Sequence, residues 1–69
     1  MKRRDIDARH DGSLVLLFPE TDRAAIWLAT NIDPEAPSFG PAIVVEPRYA
    51  GPVIAGARRD GLTVEVTQS

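Results

Sequence analysis

Two short apolar runs constrain the fold of this chain more than any other feature. Residues 14–18 read Leu-Val-Leu-Leu-Phe and residues 42–45 read Ala-Ile-Val-Val, with no alternation of apolar and polar positions. Turn residues bound the first run, Asp11-Gly12 before it and Pro19 after it. A bounded apolar run of this length is typical of a strand that is covered on both faces. We therefore predict two buried strands.

The segment after the first run has helical periodicity. Residues 19–21 open a predicted helix that lasts to about Asn31, and Thr21 is suited to accept a hydrogen bond from a first-turn amide. Three prolines and a glycine follow within residues 33–41, so this stretch is predicted to be a loop.

A second helix is predicted to start at Pro47, a position that tolerates proline, and to last to about Asp60. Pro52 leaves two alternatives open, a continuous helix or a short first turn followed by a break. We interpret Gly56 as a site of close helix packing and Gly61 as a left-handed cap. These glycines match neither a dinucleotide fingerprint nor a phosphate loop.

Two further segments alternate apolar with polar residues. Residues 62–67 do so strictly, which predicts an edge strand with one solvated face. Residues 5–9 do so weakly, and Asp11-Gly12 can turn them back onto the first apolar run as a hairpin. The predicted fold is α/β, a small three-stranded sheet in the order β-α-β-α-β with two helices packed on it. The sheet gains a fourth strand if the N-terminal hairpin forms, and the crossovers predict parallel strands.

A chain of 69 residues has room for one domain. We assign residues 11–69 to a single α/β domain and residues 1–10 to a flexible basic arm or an edge strand. Two helices can cover only one face of the sheet, or part of each face. If both lie on one face, the two apolar runs leave an apolar patch on the other, and such a patch predicts contact with a second copy or another protein.

Charge is unevenly distributed along the chain. Residues 1–10 carry four basic and two acidic side chains, whereas residues 11–69 carry four arginines and eight acids. Nucleic acid binding needs a clustered basic surface, which only residues 2–9 offer. No apolar run is long enough for a membrane span or a secretion signal, and the absence of cysteine favours a reducing compartment. We expect a cytoplasmic protein.

The residue types needed for catalysis are sparse. His10 is the single histidine, and its neighbours Asp11 and Ser13 are too close along the chain to converge on it as a triad. Asp5 and Asp7 add oxygen ligands near His10, but their spacing matches neither a calcium loop nor a zinc site. We therefore predict no catalytic, cofactor-binding or metal-binding residues, and no enzyme. A small enzyme or metal protein built around His10 is retained as an alternative.

Aromatic and charged side chains are the best candidates for contacts with a partner. Tryptophan, tyrosine and arginine are favoured anchors at protein interfaces, and this chain has only four aromatic residues. The candidate partner-binding residues are Trp27, Phe39, Tyr49 and Arg48, with the acids Glu20, Asp22, Asp33 and Glu35.

Four segments carry a resemblance to known proteins: residues 11–13 with the apolar run that follows, residues 25–28, residues 44–49 and residues 60–62. Together they resemble small uncharacterised proteins of bacteriophages and bacterial mobile elements. The resemblance covers residues 11–66, and its most specific piece is the Val-Val-Glu-Pro-Arg-Tyr run at residues 44–49. It implies a bacterial host cytoplasm and a role such as that of the anti-CRISPR inhibitors, which bind a nuclease complex stoichiometrically. It implies no catalytic residue.

The leading hypothesis is therefore a non-enzymatic protein-binding module, an inhibitor of a host defence complex. Besides the small enzyme or metal protein around His10, two alternatives remain open. One is a DNA-associated accessory protein that uses the basic N-terminal arm. The other is a structural homodimer.

Overall fold

In the part of the chain that the structure describes, five strands and two helices follow one another in the order β-β-α-β-β-α-β. The computed structural model describes residues 4–33 and 35–68. The α/β class predicted from the sequence is confirmed, and the single sheet is mixed, with the strand order β3-β4-β2-β1-β5. The elements are β1 (Ile6–Asp11), β2 (Leu14–Pro19), α1 (Asp22–Asn31), β3 (Ser38–Phe39), β4 (Ala42–Val45), α2 (Pro47–Arg59) and β5 (Val64–Gln68).

The N-terminal hairpin forms as the sequence predicts. β1 pairs antiparallel with β2, and Gly12 in the turn has a φ of 63°, a value that glycine adopts without strain. β1 also pairs in parallel with β5, so it lies inside the sheet. The assignment of residues 1–10 as a flexible arm or an edge strand is thus incorrect for residues 6–10, which belong to an internal strand. The predicted edge position of the last strand is confirmed.

The two apolar runs form neighbouring strands, but they are antiparallel and not parallel as predicted. The reason is β3, a two-residue strand inside the stretch predicted to be a loop. The crossover through α1 leads to β3, and a turn at Gly40, with a φ of 60°, brings the chain back along β4. The amide of Val44 donates to the carbonyl of Pro37 over 2.9 Å and extends this pairing.

Both helices lie on one face of the sheet. Side chains of β1, β2, β4 and β5 on that face form one cluster with buried residues of α1 and α2. The predicted double coverage of the two apolar runs is therefore wrong, because each strand has helices on one side only. The fully buried large side chains of this core are Ile6, Leu17 and Leu28.

The helix ends follow local sequence signals. Thr21 caps α1 by accepting a hydrogen bond from the amide of Ala24, as predicted. α2 is continuous through Pro52, so the alternative with a break is wrong. Among the described residues, no helix is long and apolar enough to cross a membrane.

The two helices contact each other through a tryptophan and a glycine. A Cβ atom placed on Gly56 of α2 would lie 3.6 Å from the Trp27 ring of α1, which confirms the predicted close packing at this glycine. The indole nitrogen of Trp27 donates to a carboxylate oxygen of Asp60 over 2.7 Å. This bond joins α1 to the end of α2, and Gly61 follows with a φ of 92°.

Candidate protein-interaction surface

The sheet has one face that carries no helix in the described residues. Because side chains alternate along a strand, the register places Leu16 beside Val44 on this face, whereas Leu17 and Ile43 point to the helices. We call this surface the open face. Its members are Asp7, Arg9 and Asp11 of β1; Leu14, Leu16 and Phe18 of β2; Phe39 of β3; Ala42 and Val44 of β4; and Glu65 and Thr67 of β5.

The open face is divided into an apolar and a polar half. The apolar half covers β2, β3 and β4, and its Phe39 side chain is 70% exposed. Leu14 is also exposed. Soluble proteins rarely expose a contiguous apolar patch larger than a few hundred Å² unless the patch binds something.

The polar half covers β1 and β5 and is tied together by hydrogen bonds. Asp7 is buried and accepts from the Arg9 guanidinium and from the Thr67 hydroxyl, both over 3.3 Å. The Arg9 guanidinium also lies 5.0 Å from the centroid of the Phe18 ring. Arg9 therefore joins the two halves, with its charge held between a carboxylate and an aromatic ring.

The basic residues of the N-terminal segment are engaged with acids where the structure describes them. Arg4 pairs with Glu20 over 3.4 Å and with Glu65, and these two acids raise the pKa of its guanidinium. Arg9 pairs with Asp7. Lys2 and Arg3, the rest of the predicted basic arm, lie outside the described residues.

A buried carboxylate stands at the end of the sheet where β1 begins. Asp5 accepts from Arg23 Nε over 2.9 Å and Nη2 over 2.7 Å, from the Thr21 hydroxyl over 2.7 Å, and from the Thr63 amide over 2.9 Å. The bonds from Arg23 are the main cause that holds the pKa of Asp5 well below its ordinary range, and the Thr63 and Thr21 bonds act in the same direction. In the sequence analysis, Asp5 was considered as an oxygen ligand near His10. In the structure it links β1, α1 and the residue before β5.

A groove opens at the opposite end of the sheet, where β2 begins and β4 ends. Its volume is about 550 Å³. The lining comes from the end of α1 and the segment that follows it, from the first turns of α2, and from β2 and β4 of the sheet. The lining residues are Leu14, Asn31, Ile32, Asp33, Glu35, Ala36, Pro37, Val44, Val45, Glu46, Tyr49 and Val53.

Four of the eight predicted partner-binding residues lie on these two surfaces. Phe39 lies on the open face, while Tyr49, Asp33 and Glu35 line the groove. Leu14 and Val44 belong to both surfaces, so the groove adjoins the apolar half of the open face.

The other four candidates are placed elsewhere or are engaged in local contacts. Trp27 is half-buried against α2, and Glu20 pairs with Arg4. Asp22 is in the first turn of α1, where a negative charge suits the helix dipole. The guanidinium carbon of Arg48 lies 4.9 Å from the centroid of the Tyr49 ring, and Arg48 is not among the residues that line the groove.

The two apolar runs of the sequence predicted most of the apolar half. Arg9 on the open face and Glu46 in the groove were not among the predicted partner-binding residues. Arg9 gave no signal because its contact with Phe18 depends on strand register. Glu46 did give a sequence signal, because it directly precedes the predicted start of a helix, and that helix borders the groove.

Within the described ranges, no group of three or more histidine and acidic side chains is placed to hold a metal ion. His10 lies on β1 opposite Val15, with Asp11 opposite Leu14. Comparison of the chain with protein-family models, with curated proteins and with solved structures finds no match in any of the three.

Proposed function

We propose that this chain is a protein-binding module that attaches to its partner through the apolar half of the open face. The observation that carries the proposal is apolar surface on three adjacent strands with both helices on the other side of the sheet. Fully burying a large apolar side chain contributes about 1.5–3 kcal/mol, so a partner that covers Phe39 and Leu14 gains favourable free energy from each of them.

The shape of the surface favours a protein over a small molecule as the partner. Sites for small molecules are concave and enclose most of the ligand, whereas the open face is one side of a sheet. Its charge pattern does not favour nucleic acid, because Arg4 and Arg9 are already paired with acids and the apolar half carries no basic residue. The DNA-associated alternative is therefore not proposed.

An inhibitor of a nuclease complex, the role that the resemblance to phage proteins implies, is one form of such a module. It has a direct test: the purified chain should co-elute with a CRISPR complex of its bacterial host and block DNA binding or cleavage. If it has no effect on any subtype native to that host, this form of the proposal is wrong.

The general proposal is tested with a matched pair of exposed apolar residues. Phe39 lies on the open face and is 70% exposed, whereas Ile26 lies on α1 and is 67% exposed. We expect Phe39→Asp to weaken partner binding by at least about tenfold and Ile26→Asp to leave it unchanged. The two substitutions remove similar exposed apolar surface and add the same charge. Because both side chains are exposed, both variants should stay folded, and circular dichroism checks this.

The partner is found by comparing what the wild type and the two variants capture from host lysate, and binding is then measured with purified components. A protein that binds the wild type and Ile26→Asp, but not Phe39→Asp, supports the proposal. Equal binding by all three contradicts it. Sedimentation of the purified chain identifies the remaining case, a dimer that Phe39→Asp dissociates, in which the partner is a second copy.

A further inference from the structure

We propose that the groove at the end of the sheet receives a peptide segment of the partner protein in which a lysine or arginine stands beside an apolar residue. This inference rests on the proposed function and specifies the chemistry of the partner. It is argued from the apolar lining of the groove, from the sign of its charges, and from its junction with the open face.

The groove has room for side chains, and its lining is mainly apolar. Its volume of about 550 Å³ falls within the ~300–1,000 Å³ typical of binding pockets. Two of the most exposed large hydrophobic residues of the molecule, Leu14 and Tyr49, are at this groove, and both are about half exposed. Apolar side chains that enter the groove would cover Leu14 and Tyr49 and gain the free energy of burial.

All the charged residues that line the groove are acidic. They are Asp33, Glu35 and Glu46, and the described lining contains no basic side chain. Arg48 reaches Glu46 from outside the lining over 3.6 Å, which leaves Asp33 and Glu35 as the stronger attraction for a cation. An Asp33 oxygen accepts from the backbone amide of Glu35 over 2.9 Å, so the Asp33 carboxylate is held against the turn that carries Glu35.

A cationic group of the ligand would therefore pair with the acidic residues of the groove, and an apolar group would pack against its apolar lining. A metal ion does not fit this site, because the lining is dominated by apolar carbon and no metal-binding group occurs in the described residues. A peptide segment fits because the groove and the open face share Leu14 and Val44. A protein that covers the apolar half of the open face can extend one segment directly into the groove.

The test is a selection of random peptides displayed on phage against the immobilised full chain. We expect the selected peptides to be enriched in lysine or arginine next to leucine, isoleucine, valine or an aromatic residue. The groove variant D33N/E35Q should bind such peptides about fivefold more weakly, because it removes two exposed carboxylates that attract the basic side chain. Asparagine at position 33 keeps an acceptor for the amide of Glu35, which preserves the turn.

The matched control is E20Q/D22N, which removes the same charge at the other end of the sheet and should bind the selected peptides like the wild type. Chemical-shift changes in NMR spectra of the full chain should map to residues 31–37 and 44–53. Selection of no peptide, selection without basic residues, or equal binding by D33N/E35Q overturns the inference. Such results leave the proposed function standing if Phe39→Asp still abolishes partner binding. The inference is supported if D33N/E35Q alone loses the preference for peptides that contain lysine or arginine.

Discussion

Arg23 on α1 holds the carboxylate of Asp5, at the start of β1, through hydrogen bonds of 2.9 and 2.7 Å. The Asp5 side chain is only 3% exposed, and it also accepts bonds from Thr21 and from the Thr63 amide. One carboxylate therefore connects the cap of the first helix, the first strand of the hairpin, and the residue that precedes the last strand. Its partners are 16 to 58 residues away along the chain.

We predict that Asp5→Asn lowers the free energy of unfolding at pH 7. Asparagine keeps the shape of the side chain, but its amide group would face donors on Arg23 or Thr63 where a carboxylate oxygen now accepts. Urea unfolding followed by tryptophan fluorescence measures the loss. The control Asp22→Asn removes an exposed carboxylate and should cost less. An equal cost for the two variants would contradict the assigned role of Asp5.

The difference between wild type and Asp5→Asn should depend on pH. Folding lowers the pKa of Asp5 from its ordinary value of 3.8, so the folded state binds the proton less readily than the unfolded state. The contribution of this carboxylate is therefore fully present above about pH 4 and is lost as the pH falls towards the folded-state pKa. Unfolding curves at pH 7, 4 and 3 should show the two stabilities converging only at the acidic end. A constant difference over this range would be evidence against the carboxylate bonds.

Local patterns in the sequence located most elements but not the contacts between them. Two strands and one turn were predictable because their signals lie in residues adjacent along the chain. They are the apolar runs at residues 14–18 and 42–45 and the turn at Gly12. β3 has only two residues, too few for periodicity, and without it the antiparallel direction of β4 was not foreseeable. The bonds of Asp5 and the contact of Arg9 with Phe18 depend on register and crossing, which no local pattern encodes.

Gly56→Ala is expected to stabilise the protein by about 0.5–1 kcal/mol. Alanine loses less backbone entropy than glycine when a helix forms, and its Cβ would meet the Trp27 ring at 3.6 Å, an ordinary contact distance. Thermal or urea unfolding measures the gain. Gly61→Ala is the opposing control: at a φ of 92° alanine is strained, so we expect a loss of about 1 kcal/mol or more. If Gly56→Ala destabilises the protein, the helices pack more tightly here than the structure indicates.

Arg58 is expected to protect the free edge of β5. Thr63 directs its carbonyl to β1, so the next carbonyl, that of Val64, faces the free edge and accepts from Arg58 over 2.9 Å. Arg58→Ala should cost about 0.5–1.5 kcal/mol and increase self-association, because uncovered edges pair with other chains. Arg59→Ala removes the same charge from the same helix end and is the matched control. If both variants remain equally stable and equally monodisperse in sedimentation, the bond to Val64 has no protective role.

Adjacent leucines on β2 provide a test of which face of the sheet is covered. Leu17 is fully buried under the helices, so Leu17→Ala should lower the free energy of unfolding by about 2–5 kcal/mol. Leu16 lies on the open face and is only partly buried, so Leu16→Ala should cost less than half as much in the isolated chain. The effects on the affinity for a partner should have the opposite order. Leu16→Ala should weaken binding, whereas Leu17→Ala should leave it unchanged. The affinity is measured under conditions where both variants stay folded. Equal costs in the isolated chain would mean that the open face is already covered, most simply by a second copy, and sedimentation of the wild type would then show a dimer.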